Sequence, residues 1–495
     1  MHEVFDVAVI GAGLVGSAIA RELAGTASSV ALLEAREDVG DGTSKANTAI
    51  LHTGFDAKPG TLESRLVARG YHLLGGYAQA TGIPVERTGA VLVAWTGHEL
   101  ATLPALREKA ERNGYHETKP IDADEVYRLL PALAPGALGG LIVPGESITC
   151  TWTANLALAT DAVRRGATLL LRHAVTGVHG HGHVHGDGDG DGDGWTTLRT
   201  TGGDVRARWV VNAAGLGGDG IDRMFGHDRF TVTPRRGELL VYDKQARPLA
   251  PMIVLPVPSA AGKGVLISPT VYGNVMLGPT AQDLDDRTAT ATSTTGIDFL
   301  LGKGGALMPA LLAEEVTASY AGLRASIGRD DYRIEADVAR RYLLVGGIRS
   351  TGLTASMAIA EHVSGLLADA VVTASVDGDA AALLDLTPRT GLPAPPRMPN
   401  LGEAFPRPYA DPRLIARDPE YGRIVCFCER VTAGEIRDAY AATIPPRTLG
   451  GLRRRTRAMN GRCQGFFCGA RLRQLAGRAD RNASPAGPVA GEAVR

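Results

Sequence analysis

One unit narrows the possible folds more than any other feature of this chain. Residues 4–10 (Val-Phe-Asp-Val-Ala-Val-Ile) form an apolar strand, residues 14–24 a helix with small residues on one side, and residues 29–34 a second strand that ends at Glu34. Between strand and helix lies Gly11-Ala-Gly13-Leu14-Val15-Gly16. Glycines at this spacing permit a tight turn, close approach of a pyrophosphate and packing of helix on sheet, while unpaired N–H groups at the helix amino end face the phosphates. Glu34 stands where a carboxylate would accept ribose hydroxyls, and Ala35 and Arg36 continue into the same site. The unit predicts a bound dinucleotide on a βαβ fold.

With 495 residues, 44% of them hydrophobic and 21% charged, the chain can build two or three cores. Its formal charge of −1 gives no global basic field, so nucleic acid is not an expected partner. No run of 18 apolar residues occurs and no secretion signal precedes the first strand, so no transmembrane segment is expected. The expected location is the cytoplasm, with peripheral association at the inner face of the cell membrane left open.

Farther along, strands are expected at 168–178, 207–212, 237–242, 316–326 and 342–345, a hairpin through 265–269 and 274–278, and a long helix at 352–368. Residues 179–194 alternate Gly with His and then Asp, which removes the side chains needed for a core. Asp189, Asp191, Asp193 and Gly194 match half of a calcium loop, but its twelfth position would be Thr200 instead of a bidentate Glu, so a solvated hairpin tip is expected. Prolines crowd between about 387 and 412, predicting a stiff connector across 385–420. Residues 476–495, rich in Ala, Gly, Pro and Arg, are expected to be disordered.

Four of the five cysteines close the sequence as Cys426-Phe-Cys428, thirty-four residues, then Cys463-Gln-Gly-Phe-Phe-Cys468. Four thiolates suit a 2Fe-2S cluster, with nearby backbone N–H groups tuning the sulfurs. Structural zinc takes the same ligand number but usually spaces each pair by two to four residues, unlike Cys426 and Cys428. The basic stretch Leu452 to Arg457 would offset the thiolate charge or form a solvated face.

Residues 39–54, which contain Thr43, Ser44 and Asn47, resemble the segment that crosses the flavin in the glycine oxidase, D-amino-acid oxidase and glycerol-3-phosphate dehydrogenase superfamily of FAD enzymes. Val211-Asn-Ala-Ala214-Gly215 resembles its second FAD-touching strand. Gly346-Gly347-Ile-Arg-Ser-Thr-Gly352-Leu353-Thr354-Ala-Ser356 resembles the loop and helix start beneath the flavin, and by the same resemblance Val175 sits at the adenine. Residues 425–468 resemble the BFD-like 2Fe-2S domain of anaerobic glycerol-3-phosphate dehydrogenase large subunits. The resemblance implies an α/β fold: a Rossmann-like FAD-binding domain with an inserted mixed α+β substrate domain, plus a small C-terminal helical iron-sulfur module. Its FAD-binding parts are expected at about 1–80, 150–230 and 335–384, the substrate domain at about 81–149 and 231–334, and the iron-sulfur module at 421–475.

The implied activity is removal of hydride from a small anionic hydroxy compound, such as sn-glycerol 3-phosphate, with electrons leaving through the cluster to a quinone or partner redox protein. His52, in Leu-His-Thr-Gly54, is the expected base, and Arg324, with Arg349 as a second candidate, the expected anion clamp. Phe55-Asp56 stands where glycerol-3-phosphate enzymes carry an Arg, and Gly347-Ile-Arg349 where they carry Gly-Gly-Lys. Ala57-Lys-Pro-Gly-Thr-Leu62 is instead similar to L-2-hydroxyglutarate oxidases. A 2-hydroxy acid, an amino acid or opine, and a non-catalytic zinc-bearing scaffold are the alternatives.

Overall fold

The structure, a computed structural model, describes residues 3–180, 194–258 and 264–482. The calcium-like tract at 181–193 and the tail from 483 therefore lie outside the described residues. Two large sheets dominate. The first has eight strands, and its parallel centre is Val205–Asn212, Glu3–Ile10, Val30–Glu34 and Thr168–Leu171, with Tyr342–Gly346 added parallel to Val205–Asn212. Strands buried on both faces read as near-continuous apolar runs, and Val30–Glu34 is buried at every position, apolar except for the terminal Glu34. The expected single strand at 168–178 is two, Thr168–Leu171 and Val175–His179, because the chain turns between them with Arg172 at a φ of 61°.

Helices Leu14–Leu23, Leu62–Thr81, Thr151–Arg164 and Gly352–Val376 share one core with this sheet. Gly352–Val376 runs eight residues beyond the expected end and contains an 18-residue window of mean hydropathy 1.3, enough in length and composition to cross a membrane. Here that apolar surface packs against Leu14–Leu23 and Leu62–Thr81, with Leu353 to Ala360 continuously buried.

The second sheet has nine strands drawn from residues 90–143 and 233–326, almost all antiparallel. Its longest strand, Val316–Ser326, pairs with Thr233–Tyr242 and sets Arg324 opposite Arg235. A third, three-stranded sheet links the two bodies: Ile50–Leu51 pairs antiparallel with Ser147–Thr149, Ile50 facing Ile148 and Leu51 facing Ser147.

The proline-rich segment is not a free connector. Proline cannot donate to a ladder, but its neighbours bond singly to the body: Ala27 N–H to Thr387 O, Arg389 N–H to Gly25 O, Met398 N–H to Thr81 O and Glu403 N–H to Val271 O. Leu401 is buried against the second body. Beyond it, Ile424–Cys426 and Val431–Thr432 form a small ladder, followed by helices Ala433–Ala441, Leu449–Thr456 and Gly469–Asn482. The last helix carries regular structure past residue 475, where a disordered tail was expected.

The basic stretch is not a solvated face: Arg453 lies within electrostatic reach of the Cys468 thiol, as expected of a charge offset, while Arg454, Arg455 and Arg457 are taken up by carboxylates. Arg455 forms two 2.7 Å hydrogen bonds to the Asp38 carboxylate, just beyond the second strand of the βαβ unit, and Arg454 adds a third to Asp38 and one to Asp41. Burial alone would raise the pKa of Asp38, but the two guanidiniums hold it below the ordinary aspartate value. Arg457 bonds Glu429 and lies 4.0 Å from the Tyr272 ring centroid. The module is thus docked on the body by buried, paired charge.

Candidate functional site

A cavity of about 1300 Å³ runs from the βαβ unit to the second sheet. This exceeds the roughly 300–1,000 Å³ of an ordinary ligand pocket, leaving room for a dinucleotide and a substrate together. Gly11, Gly13, Leu14, Val15, Gly16, Glu34, Ala35, Arg36, Thr43, Ser44, Asn47, Val175, Ala214, Gly215, Gly347, Gly352 and Leu353 all line it, as do His52, Arg324 and Arg349. Thr354 does not. It is fully buried, and its hydroxyl accepts the His52 backbone N–H at 3.0 Å.

The glycine turn explains how a phosphate could come close. Gly11 has a φ of +103°, and a Cβ there would lie 2.6 Å from Ala213 O; a Cβ on Gly16 would lie 1.8 Å from Gly11 O. Only at these contacts does the helix amino end sit against the sheet, with its first turn facing the cavity. Ser44 reaches over it, its hydroxyl accepting from Leu14 N–H at 3.0 Å. Glu34 is buried and accepts from the N–H groups of Ala12 and Arg36, each at 3.0 Å. Burial raises its pKa, as expected for a carboxylate set in a dry wall. A second helix amino end, at Gly352 and Leu353, faces the same cavity, so its partial positive charge can stabilise an anion there. These features fit FAD.

At the far end, His52 Nδ1 lies 2.9 Å from Glu146 Oε2. The Glu146 side chain is wholly buried, and its Oε1 accepts from the backbone N–H and the hydroxyl of Thr53. A carboxylate accepts only, so Nδ1 carries the proton and Nε2 is left as the accepting nitrogen, a tautomer assigned from the hydrogen bonds. The strand pairing makes the contact: continuing the Leu51–Ser147 register by one residue sets His52 opposite Glu146. Sequence reasoning did not single out Glu146, which lies 94 residues away and carries no motif.

Arg36, Arg235, Arg287 and Arg349 each face a carboxylate: Asp41, Asp283, Asp219, and Asp330 with Glu63. Arg324 faces none among the described residues; its one hydrogen bond is a long 3.5 Å contact to Thr280 O. Burial, then the charge of Arg235, lower its pKa from the ordinary arginine value, yet a guanidinium remains charged at neutral pH. Arg349, the second expected anion clamp, differs from Arg324 in already having partners. Its charge is already taken up by Asp330 and Glu63, and the latter also accepts from Thr351 at the amino end of the Gly352 helix.

In the module the four cysteine thiols lie close enough to act on one another electrostatically, Cys428 with Cys463 and Cys426, and Cys468 with Cys426 and Cys463. The backbone N–H of Phe467, more than any other group, lowers the pKa of Cys463, followed among N–H donors by Gly465. Among the described residues no three His, Cys, Asp or Glu side chains are gathered as one metal ion would need. Four neighbouring thiols, no three of them gathered at one point, suit two iron atoms better than a single tetrahedral zinc. The module reaches toward the cavity through a short series of contacts. Arg457 lies over Tyr272, Tyr272 stacks on Trp152 with centroids 5.2 Å apart, and Trp152 Nε1 donates to Lys45 O beside Ser44.

Fold and site together define a flavin-dependent oxidoreductase with an iron-sulfur appendage. Residues 6–366 match the model of the FAD dependent oxidoreductase family, and the chain belongs to that family; residues 424–477 match the BFD-like 2Fe-2S binding domain. FAD and a 2Fe-2S cluster are its cofactors, so the cysteines are not a zinc site and the chain is not a non-catalytic scaffold. It is 34% identical over 475 residues to the glycerol 3-phosphate dehydrogenase of Caloramator mitchellensis, covering 96% of this chain and 94% of that one. It is 27% identical to an anaerobic glycerol-3-phosphate dehydrogenase subunit of Escherichia coli strain K12, covering 95% and 87%. The FAD-bound, dithionite-reduced L-alpha-glycerophosphate oxidase of Mycoplasma pneumoniae superposes with a TM-score of 0.72 at 26% identity, over 80% of this chain and all of that one.

Proposed function

We propose that the chain oxidises the secondary hydroxyl of sn-glycerol 3-phosphate, or a close analogue, to a ketone. The observation that carries this reading is Arg324: among five arginines lining one cavity, it alone lacks a carboxylate among the described residues. An uncompensated guanidinium in a protein wall is costly unless an anion meets it, and its planar fork suits phosphate. The relatives named for glycerol 3-phosphate make that anion the first candidate.

His52 Nε2 then accepts the hydroxyl proton while Glu146 stabilises the imidazolium through Nδ1–H. Arg324 fixes the anionic end, and Arg349, through Glu63 and Asp330, holds the loop from which the Gly352 helix starts. Bound FAD supplies the hydride acceptor, and the 2Fe-2S cluster a one-electron exit to a quinone or a redox protein.

The test is anaerobic bleaching of the flavin by glycerol 3-phosphate, L-2-hydroxyglutarate, lactate and amino acids. Glycerol 3-phosphate is expected to bleach it, and Arg324→Ala to raise KM by about 100-fold, the equivalent of about 2.7 kcal/mol for a desolvated charged contact. Bleaching by an amino acid alone, or an unchanged KM in the variant, would overturn the assignment.

A further inference from the structure

The module has two differently built sides. One is docked: Gln464 Nε2 donates to Thr317 O of the strand that carries Arg324, and Arg462 pairs with Asp243 and Glu315. The other is bare. Phe427, between Cys426 and Cys428, is 73% exposed, and Phe466 and Phe467, just before Cys468, are 83% and 74% exposed. Phe466 and Phe467 meet edge to face at 5.2 Å. Folding leaves these rings in water beside the four thiols although the same chain buries Phe5, Phe55 and Phe225. Taking about 200 Å² per aromatic side chain, they present roughly 450 Å² of apolar surface. Spread over the two cysteine loops, that area fits one side of a small electron-transfer encounter, which buries less than about 1,200 Å² in all.

The patch also has a sign. Arg471 and Arg473 are exposed near the amino-terminal end of Gly469–Asn482, two and four residues after Gly469, and neither pairs with a carboxylate among the described residues. A would-be Cβ on Gly469 lies 3.7 Å from Arg473 Nη1, which puts that guanidinium at the base of the loop bearing Phe466 and Phe467. An apolar centre with a cationic rim favours a partner with an apolar centre and an acidic rim.

We propose that Phe427, Phe466 and Phe467, with Arg471 and Arg473, form the docking site for a small acidic one-electron carrier protein. The proposal rests on the dehydrogenase reading above and names the acceptor for it. Oxidation of one substrate molecule yields two electrons and two protons. Each carrier molecule takes one electron, so two oxidised carriers are reduced per turnover, and both protons pass to water.

The test uses the full-length holoenzyme and a small acidic b-type cytochrome as probe. Binding of the oxidised cytochrome is measured by surface plasmon resonance at low and at high salt, and its reduction is followed with substrate present. Phe427→Ser/Phe466→Ser and, separately, Arg471→Glu/Arg473→Glu are each expected to raise Kd by about tenfold or more. The first effect should persist in salt and the second should disappear. Phe427→Leu/Phe466→Leu should restore most of the binding. Flavin bleaching by substrate reads the body alone and should be unchanged in every variant; if it fails in the wild type, the dehydrogenase reading fails, independently of docking. The docking proposal is overturned if the wild type neither binds nor reduces the cytochrome, or if the variants bind it equally well. It is also overturned if the serine variant instead loses affinity for vesicles of phosphatidylglycerol and phosphatidylethanolamine, or turns a dimer into a monomer.

Discussion

The Asp38–Arg455 contact offers the sharpest test of how the two halves cooperate. In Asp38→Asn the Arg455 guanidinium, whose side chain is 4% exposed, loses the anion that neutralises it, and Arg454 loses one of its two partners. Removing one member of a buried pair costs about 3–5 kcal/mol because the other charge stays buried. At about 1.4 kcal/mol per decade, this weakens docking by about 10²- to 4 × 10³-fold. The segment at 385–420 keeps the module tethered, so the expected result is release without loss of folding. In anaerobic stopped-flow experiments flavin bleaching should keep its rate, while the EPR signal of the reduced cluster should appear at least tenfold more slowly and protease should cut within 385–420. Asp38→Asn/Arg455→Met removes both charges and should recover much of the protease resistance. Because the pKa of Asp38 is depressed in the folded state, its contribution is present above the ordinary aspartate value of about 3.9 and lost only as pH falls below that, through the depressed value. Docking should therefore be insensitive to pH from about 5 to 8. Wild-type cluster reduction in Asp38→Asn, with unchanged proteolysis, would refute the docking argument.

Three further outcomes follow from the site. Glu146→Gln should lower kcat by about 10²-fold with little change in KM or flavin content, because it removes the charge that stabilises the protonated His52; steady-state kinetics on flavin-replete protein checks this. Gly16→Ala places a methyl group 1.8 Å from Gly11 O, so the protein should purify without its yellow absorbance; full FAD occupancy would contradict the turn geometry. Cys468→Ser should abolish the iron-sulfur EPR signal while substrate still bleaches the flavin; retention of the cluster would remove Cys468 from the ligand set.

The local features were legible in the linear sequence because their physics is local. The glycine spacing at 11–16 sets a turn and a helix start within a few residues, and unbroken apolar runs such as Val30 to Leu33 mark strands buried on both faces. The four cysteines likewise announce their chemistry by type and spacing. What the tertiary structure alone decided are the pairings between distant residues: Glu146 with His52 through the register of a two-residue strand, Asp38 with Arg455 across 417 positions, and the carboxylates that occupy Arg349 but spare Arg324. An isolated charge in a sequence has no marked partner. Which opposite charge it meets, or whether it meets none, is settled only when strand register and docking bring the two within a few ångströms and exclude water from between them.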